Sequence, residues 1–185
     1  MTAPAHTVTI FGSARVAPED AEYRLAYELG RLLAGAGFAL CNGGYGGVME
    51  ASARGAAEAG GQTTGVLCSI FPNRDANRWT GSIVMTDSLM ERIEQLIERG
   101  DAYVVLRGGT GTLLEFAAVW ELINKRMMRE KPIVLIGPFW ENVVTSLRAE
   151  LAWEGLGDCT RFVSMTTSAE ECVRLLREHL KGEDL

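Results

Sequence analysis

Lysine is nearly missing from this chain: Lys125, Lys131 and Lys181 stand against fifteen arginines. A pyridoxal enzyme needs a lysine for its Schiff base. None of the three follows a strand-like run, so that chemistry is not expected. Histidine is scarcer still, with His6 and His179 near the two chain ends. This argues against a histidine-based metal site or catalytic triad. The four cysteines, Cys41, Cys68, Cys159 and Cys172, lack metal-ligand spacing. Cys41 and Cys68 lie in apolar runs and read as packed thiols. No apolar run is long enough to span a membrane. The first six residues have neither the basic start nor the apolar middle of a signal peptide, so a cytoplasmic location is the default expectation. A net charge of −6 argues against a nucleic-acid partner, which calls for a basic face.

Two nucleotide signatures are also missing. Gly12-Ser13-Ala14 after the first strand-like run does not match the dinucleotide pattern Gly-x-Gly-x-x-Gly, and no Gly-Lys-Ser/Thr triphosphate loop occurs. Hydride transfer and nucleoside triphosphate hydrolysis both lose ground.

What is present is a glycine-rich turn in an informative setting. The apolar run at residues 102–106 reads as a buried strand. Leu113, Phe116, Ala117, Trp120 and Ile123 follow with helical spacing. Between them, Gly108-Gly109-Thr110-Gly111-Thr112 leads from a strand end into a helix N-terminus. Free N–H groups and the positive end of the helix dipole then point at one place, which suits a phosphate. Glu115 is expected in the first helical turn. There it either complements the dipole or acts on what the loop holds.

The same organisation recurs along the chain. Strands are expected at residues 7–11, 38–41, 63–68, 82–85, 102–106 and 132–136, with a short edge strand at 162–163. Helices alternate with them. The first starts at Pro18, and Gly35 and Gly37 close it. The second covers 48–59, where Ala51, Gly55 and Ala59 would allow close packing on a sheet. Ser88-x-x-Glu91 has the form of a capping box, and Leu89, Ile93, Leu96 and Ile97 make the apolar stripe of the helix it opens. Arg92 falls on the flank of that stripe, from where it could lean over the sheet edge toward the glycine loop. Its alternative is a surface pair with Glu91 or Glu94. Further helices are expected to about residue 128, over 140–151, and from a Ser168 cap to about 180, before a frayed tail. Residues 72–81 read as a surface loop whose Arg74 and Arg78 either reach a ligand phosphate or are solvated. Trp120, Trp140 and Trp153 are candidates for an interface or for the core.

Continuous apolar strands alternating with helices imply a mainly parallel, doubly wound Rossmann-like α/β sheet with helices on both faces. One such domain is expected to occupy residues 1–185. Ligands bind such sheets beyond the carboxyl ends of the strands, at a switch in strand order. Three small-residue turns converge there: 12–15, 42–47 and 107–112. An acid, Glu115, and a cation, Arg92, beside a nucleoside monophosphate suit cleavage of an N-glycosidic bond. The transition state is a ribosyl cation, which a carboxylate stabilises while it orients or deprotonates water. The arginine can neutralise the phosphate or the departing base but is too basic to serve as the acid.

The stretch from Gly108 to Glu115 resembles the Pro-Gly-Gly-x-Gly-Thr-x-x-Glu motif of the LONELY GUY family of cytokinin riboside 5′-monophosphate phosphoribohydrolases. Asn42-Gly43-Gly44-Tyr45-Gly46-Gly47-Val48-Met49 is similar to its second glycine motif, Gly12-Ser13 to its first turn, and Glu91-Arg92 to its Met-His-Glu-Arg-Lys segment. The resemblance spans roughly residues 8–138. It implies a Rossmann-like fold, a homodimer, no cofactor, and catalytic roles for Arg92 and Glu115. It implies phosphate binding by Gly108, Gly109, Thr110, Gly111 and Thr112, and nucleoside contacts from Gly12, Ser13, Gly43, Gly44 and Glu91. The reaction implied releases a free base and ribose 5-phosphate from AMP or an N6-modified AMP. Arg107 replaces the motif's proline, Leu89, Met90 and Ile93 replace its Met, His and Lys, and Asn42 replaces a glycine. Arg107 is either a substitute cation near the phosphate or a solvent-facing charge. The competing reading is a binding module, since the same fold resembles nucleotide sensors and molybdenum cofactor carriers.

Overall fold

The computed structural model describes residues 6–72 and 75–181, with Lys181 described by its backbone alone. Arg74 and the tail beyond Lys181 lie outside the described residues. Seven strands form one sheet: β1 (Thr7–Phe11), β2 (Ala39–Asn42), β3 (Thr63–Cys68), β4 (Ser82–Thr86), β5 (Ala102–Val105), β6 (Ile133–Ile136) and β7 (Val163–Thr166). Their spatial order is β4-β3-β2-β1-β5-β6-β7, and every neighbouring pair is parallel. The edge strand β7 is longer than the two residues expected, because Val163 to Thr166 all pair with β6.

Among the described residues six α-helices cover the sheet: α1 (Ala21–Gly35), α2 (Val48–Glu58), α3 (Leu89–Arg99), α4 (Thr110–Asn124), α5 (Glu141–Trp153) and α6 (Ala169–Lys181). Successive strand residues point to opposite faces, and both faces are apolar. In β5, Ala102 and Val104 join α1, α2 and α6, whereas Tyr103 and Val105 join α3, α4 and α5. Burial on each face contributes about 1.5–3 kcal/mol per large apolar side chain. Trp120 and Trp140 belong to this interior; only Trp153 of the three candidate interface tryptophans is exposed. Burial pushes the Cys41 thiol up to about 11, which keeps it in the inert thiol form.

Three expectations are corrected. Gly55 does not serve packing on the sheet: a Cβ there would lie 2.0 Å from the Tyr27 carbonyl oxygen, so it lets α2 approach α1. Gly30 does the same from α1 against Ser52, and Ala59 is exposed at the helix end. α4 stops at Asn124 rather than near residue 128, because Arg126 turns left-handed at φ 56° and its N–H bonds back to Ile123. α4 also starts earlier, at Thr110, so Glu115 stands in the second turn and not the first. Dipole complementarity at the first turn therefore does not account for it.

Candidate functional site

The switch in strand order falls at β1, whose neighbours β2 and β5 carry the chain to opposite sides. The turns leaving these three strands meet at their carboxyl ends. Ser13 ties them together: its N–H donates to the Arg107 carbonyl at 3.0 Å and its carbonyl accepts from Val48 N–H at 2.8 Å. That closeness demands glycine. A Cβ on Gly12 would lie 2.6 Å from Val48, and one on Gly47, held at φ 65°, would lie 2.3 Å from the Ser13 carbonyl oxygen.

A cavity of about 860 Å³ opens over these turns. Its wall includes Gly12, Ser13 and Gly43 from the first two turns, and Gly109, Thr110, Gly111 and Thr112 from the start of α4. Gly109 caps α4 without any side-chain acceptor for the first-turn N–H groups. Those donors therefore keep the capacity to bind an anion. Thr112 is buried, and its hydroxyl has no protein partner among the described residues. Gly108 lies behind the wall, where a Cβ would sit 2.1 Å from that hydroxyl oxygen.

Arg92 and Glu115 form the floor. The Ser88 hydroxyl accepts from Glu91 N–H at 3.1 Å and starts α3, which brings Arg92 to the sheet edge in the first turn. Arg92 is buried, and its guanidinium is held on several sides. Nε donates to the Val66 carbonyl at 2.8 Å, Nη2 to the Gly43 carbonyl at 3.3 Å, and Nη1 to Glu115 Oε1 at 3.3 Å. The rings of Tyr45 and Phe71 lie 5.6 and 5.7 Å from its carbon. Burial pushes the Glu115 carboxyl up to about 7, and the opposing pull of Arg92 does not cancel it. An acid poised near neutrality can carry a proton either way.

Not every expected residue reaches the cavity. Glu91 is exposed, and its carboxylate accepts from Asp87 N–H at 2.7 Å, one residue before the Ser88 cap. Gly44 lies beneath the second turn, with φ at 77° and its N–H bonded to Asn42 Oδ1. Arg107 points away and pairs with Glu22 at 2.9 Å. Arg78 stacks on Trp79 at 4.7 Å. Conversely, Arg15, Tyr45, Met49 and Phe71 line the cavity without having been singled out. Arg15 and Tyr45 lie inside the two turns and were legible there; Phe71, in an irregular segment, gave no signal. Among the described residues no three His, Cys, Asp or Glu side chains gather as metal ligands, and no helix is long and apolar enough to cross a membrane.

Residues 5–154 match the SLOG cluster4 family. The chain belongs to this LOG-like family. A Mycobacterium tuberculosis protein named cytokinin riboside 5′-monophosphate phosphoribohydrolase is 37% identical to this SLOG cluster4 chain over 163 residues, covering 86% of it and 83% of the relative. A Mycobacterium marinum protein of the same name is 32% identical over 136 residues, covering 72% and 71%. The molybdenum cofactor carrier protein of Chlamydomonas reinhardtii superposes with a TM-score of 0.74 at 25% identity, over 95% of this chain and 98% of that one. LOG-like membership agrees with the glycine motifs at 42–49 and 108–115 and with the parallel α/β sheet.

Proposed function

We propose that this protein is a nucleoside 5′-monophosphate phosphoribohydrolase acting on AMP or an N6-modified AMP. The observation that carries the reading is the Arg92–Glu115 pair, 3.3 Å apart on the floor of a cavity whose wall is a bare helix N-terminus. A pure phosphate binder gains nothing from a buried acid there. The mycobacterial relatives bear the name of this activity.

In this reading Gly108 to Thr112 and the first turn of α4 take the phosphate, Gly108 by shaping the loop. Gly12, Ser13 and Gly43 line the nucleoside side; Gly44 and Glu91 act indirectly, through the second turn and the start of α3. The bond between C1′ and the base nitrogen breaks, and its electron pair leaves with the base. The Glu115 carboxylate stabilises the ribosyl cation and takes a proton as water oxygen bonds to C1′. The departing base takes its proton from solvent, since the Arg92 guanidinium does not give one up. Arg92 neutralises negative charge and holds Glu115 in place. We also propose a homodimer, supported by Ile83 and Met85 exposed on the edge strand β4 and Met90 exposed on α3.

The test is release of free base from a panel of nucleoside monophosphates, followed by chromatography, with Glu115→Gln and Arg92→Ala alongside. Release abolished by both substitutions supports the hydrolase. A folded protein that binds nucleotide but releases no base counts against it. The second reading, a carrier or sensor, is favoured by the close superposition on the algal carrier and by Met90 and Ile93 beside Arg92. A pterin absorption spectrum in the purified protein would select it.

A further inference from the structure

Asn42 stands where the resembling motif has glycine, and no role above uses it. Its side chain is fully engaged although it lies beneath the cavity. It is 1% exposed, at the end of β2. Oδ1 accepts from Gly44 N–H at 2.8 Å. Nδ2 donates to the Met49 carbonyl at 2.8 Å and to Ser52 Oγ at 3.1 Å. Ser52 Oγ in turn bonds to the Val48 carbonyl at 2.8 Å. One carboxamide thus joins the start of the second glycine turn to the beginning of α2. Two atoms of the bracketed segment touch the same nitrogen: the Gly43 carbonyl lies 3.3 Å and the Met49 sulfur 4.0 Å from Arg92 Nη2. The fit is tight, since a Cβ on Gly43 would lie 1.7 Å from that nitrogen.

We propose that Asn42 is a positioning residue: by fixing the backbone from Gly43 to Met49 it seats Arg92 Nη2, and so aims Nη1 at Glu115. Glycine at position 42 offers no side chain to make these bonds. The inference deepens the hydrolase reading and rests on it only for its effect on rate. The geometric claim stands without it, because Arg92 is the charged group acting on Glu115.

The test therefore has one arm that needs no activity. The Glu115 carboxyl is titrated in the ligand-free protein by ¹³C NMR with labelled glutamate, assigned with Glu115→Gln. In Asn42→Gly a loosened Arg92 holds the carboxylate less well, so the midpoint is expected to rise by at least about half a pH unit. Ser52→Ala, which removes one of the three partners, is expected to give a smaller rise. Leu176→Ala, a destabilising change in the core on the face that α1, α2 and α6 cover, away from α3 and α4, is expected to leave the midpoint in place. An unmoved midpoint in folded Asn42→Gly overturns the proposal, as does an equal rise in Leu176→Ala. Should Asn42→Gly not fold, an unmoved midpoint in Ser52→Ala overturns it. In the second arm, base release from AMP is expected to lose at least about tenfold in kcat with KM within about threefold. A wild-type protein that releases no base removes the hydrolase reading and leaves the titration to decide on Asn42.

Discussion

Glu115 and Arg92 meet at 3.3 Å from two different helices, Arg92 in the first turn of α3 and Glu115 in the second turn of α4. Their side chains are 7% and 13% exposed, for the arginine and the acid, so water screens the pair poorly. Glu115→Gln keeps the shape and removes the ionisable group. Base release is expected to fall at least about a hundredfold, with KM changed little. Steady-state kinetics on AMP checks this, and near-normal kcat in the variant removes Glu115 from the chemistry.

The same acid sets a pH dependence. Its carboxyl titrates near 7 in the folded protein, above the ordinary 4.5. Between those values the unfolded chain has lost the proton that the folded chain keeps. Unfolding then releases a proton, and stability falls as pH rises from about 4.5 to about 7, by on the order of 3 kcal/mol, before levelling off. Denaturant unfolding across this window is expected to show that slope in the wild type and to lack it in Glu115→Gln. The rate should move the opposite way. In the hydrolase reading the free protein acts through the carboxylate, so kcat/KM is expected to rise with pH through about 7.

Much of this architecture is legible in the chain. β1 and β3 have the bounds that their apolar runs dictate, because turn residues close both ends. Ser88 caps α3 as its spacing with Glu91 requires. The flank position of Arg92 on the apolar stripe is the one from which its side chain crosses to Val66 and Gly43. What stays hidden depends on distant parts meeting. The spacing of Gly55 on its helix announces close packing but not whether a helix or a sheet is the neighbour. Phe71 lies in an irregular segment and reaches the wall beside Tyr45, ring centroids 5.9 Å apart. Arg107 illustrates the limit for charges, since its partner Glu22 is 85 positions away.

Gly43 is the most confined glycine at the site. A Cβ there would lie 1.7 Å from Arg92 Nη2 and 2.6 Å from the Met49 sulfur. Gly43→Ala is expected to displace the guanidinium, with base release falling at least about tenfold. The stability loss should stay near 1–3 kcal/mol, the usual effect of overpacking. Measuring kcat beside a denaturation curve separates the two, and unimpaired kcat would show that Arg92 tolerates displacement.

The dimer can be tested at its proposed face. Met90 is 61% exposed at the start of α3. An aspartate there brings an unpaired charge to any apolar interface. Met90→Asp is expected to elute as a monomer at concentrations where the wild type elutes as a dimer, with an unchanged circular dichroism spectrum. A wild type that is monomeric throughout excludes the dimer. A dimeric Met90→Asp moves the interface elsewhere.

Two arginines near the first and third turns have opposite expectations. Arg107 replaces the proline of the resembling motif, but its guanidinium is bonded to Glu22 and lies 5.2 Å over Phe139, away from the cavity. As an exposed pair it contributes less than about 1 kcal/mol, and Arg107→Ala should leave KM for AMP within about twofold. Arg15 lines the cavity, and its side chain has no hydrogen-bond or ionic partner among the described residues. A cation in that position is available to a phosphate held at the start of α4. Arg15→Ala is expected to raise KM by about five- to tenfold at low salt, with the difference shrinking as ionic strength rises. If Arg107→Ala raises KM and Arg15→Ala does not, the phosphate sits on the far side of the first turn from the cavity described above.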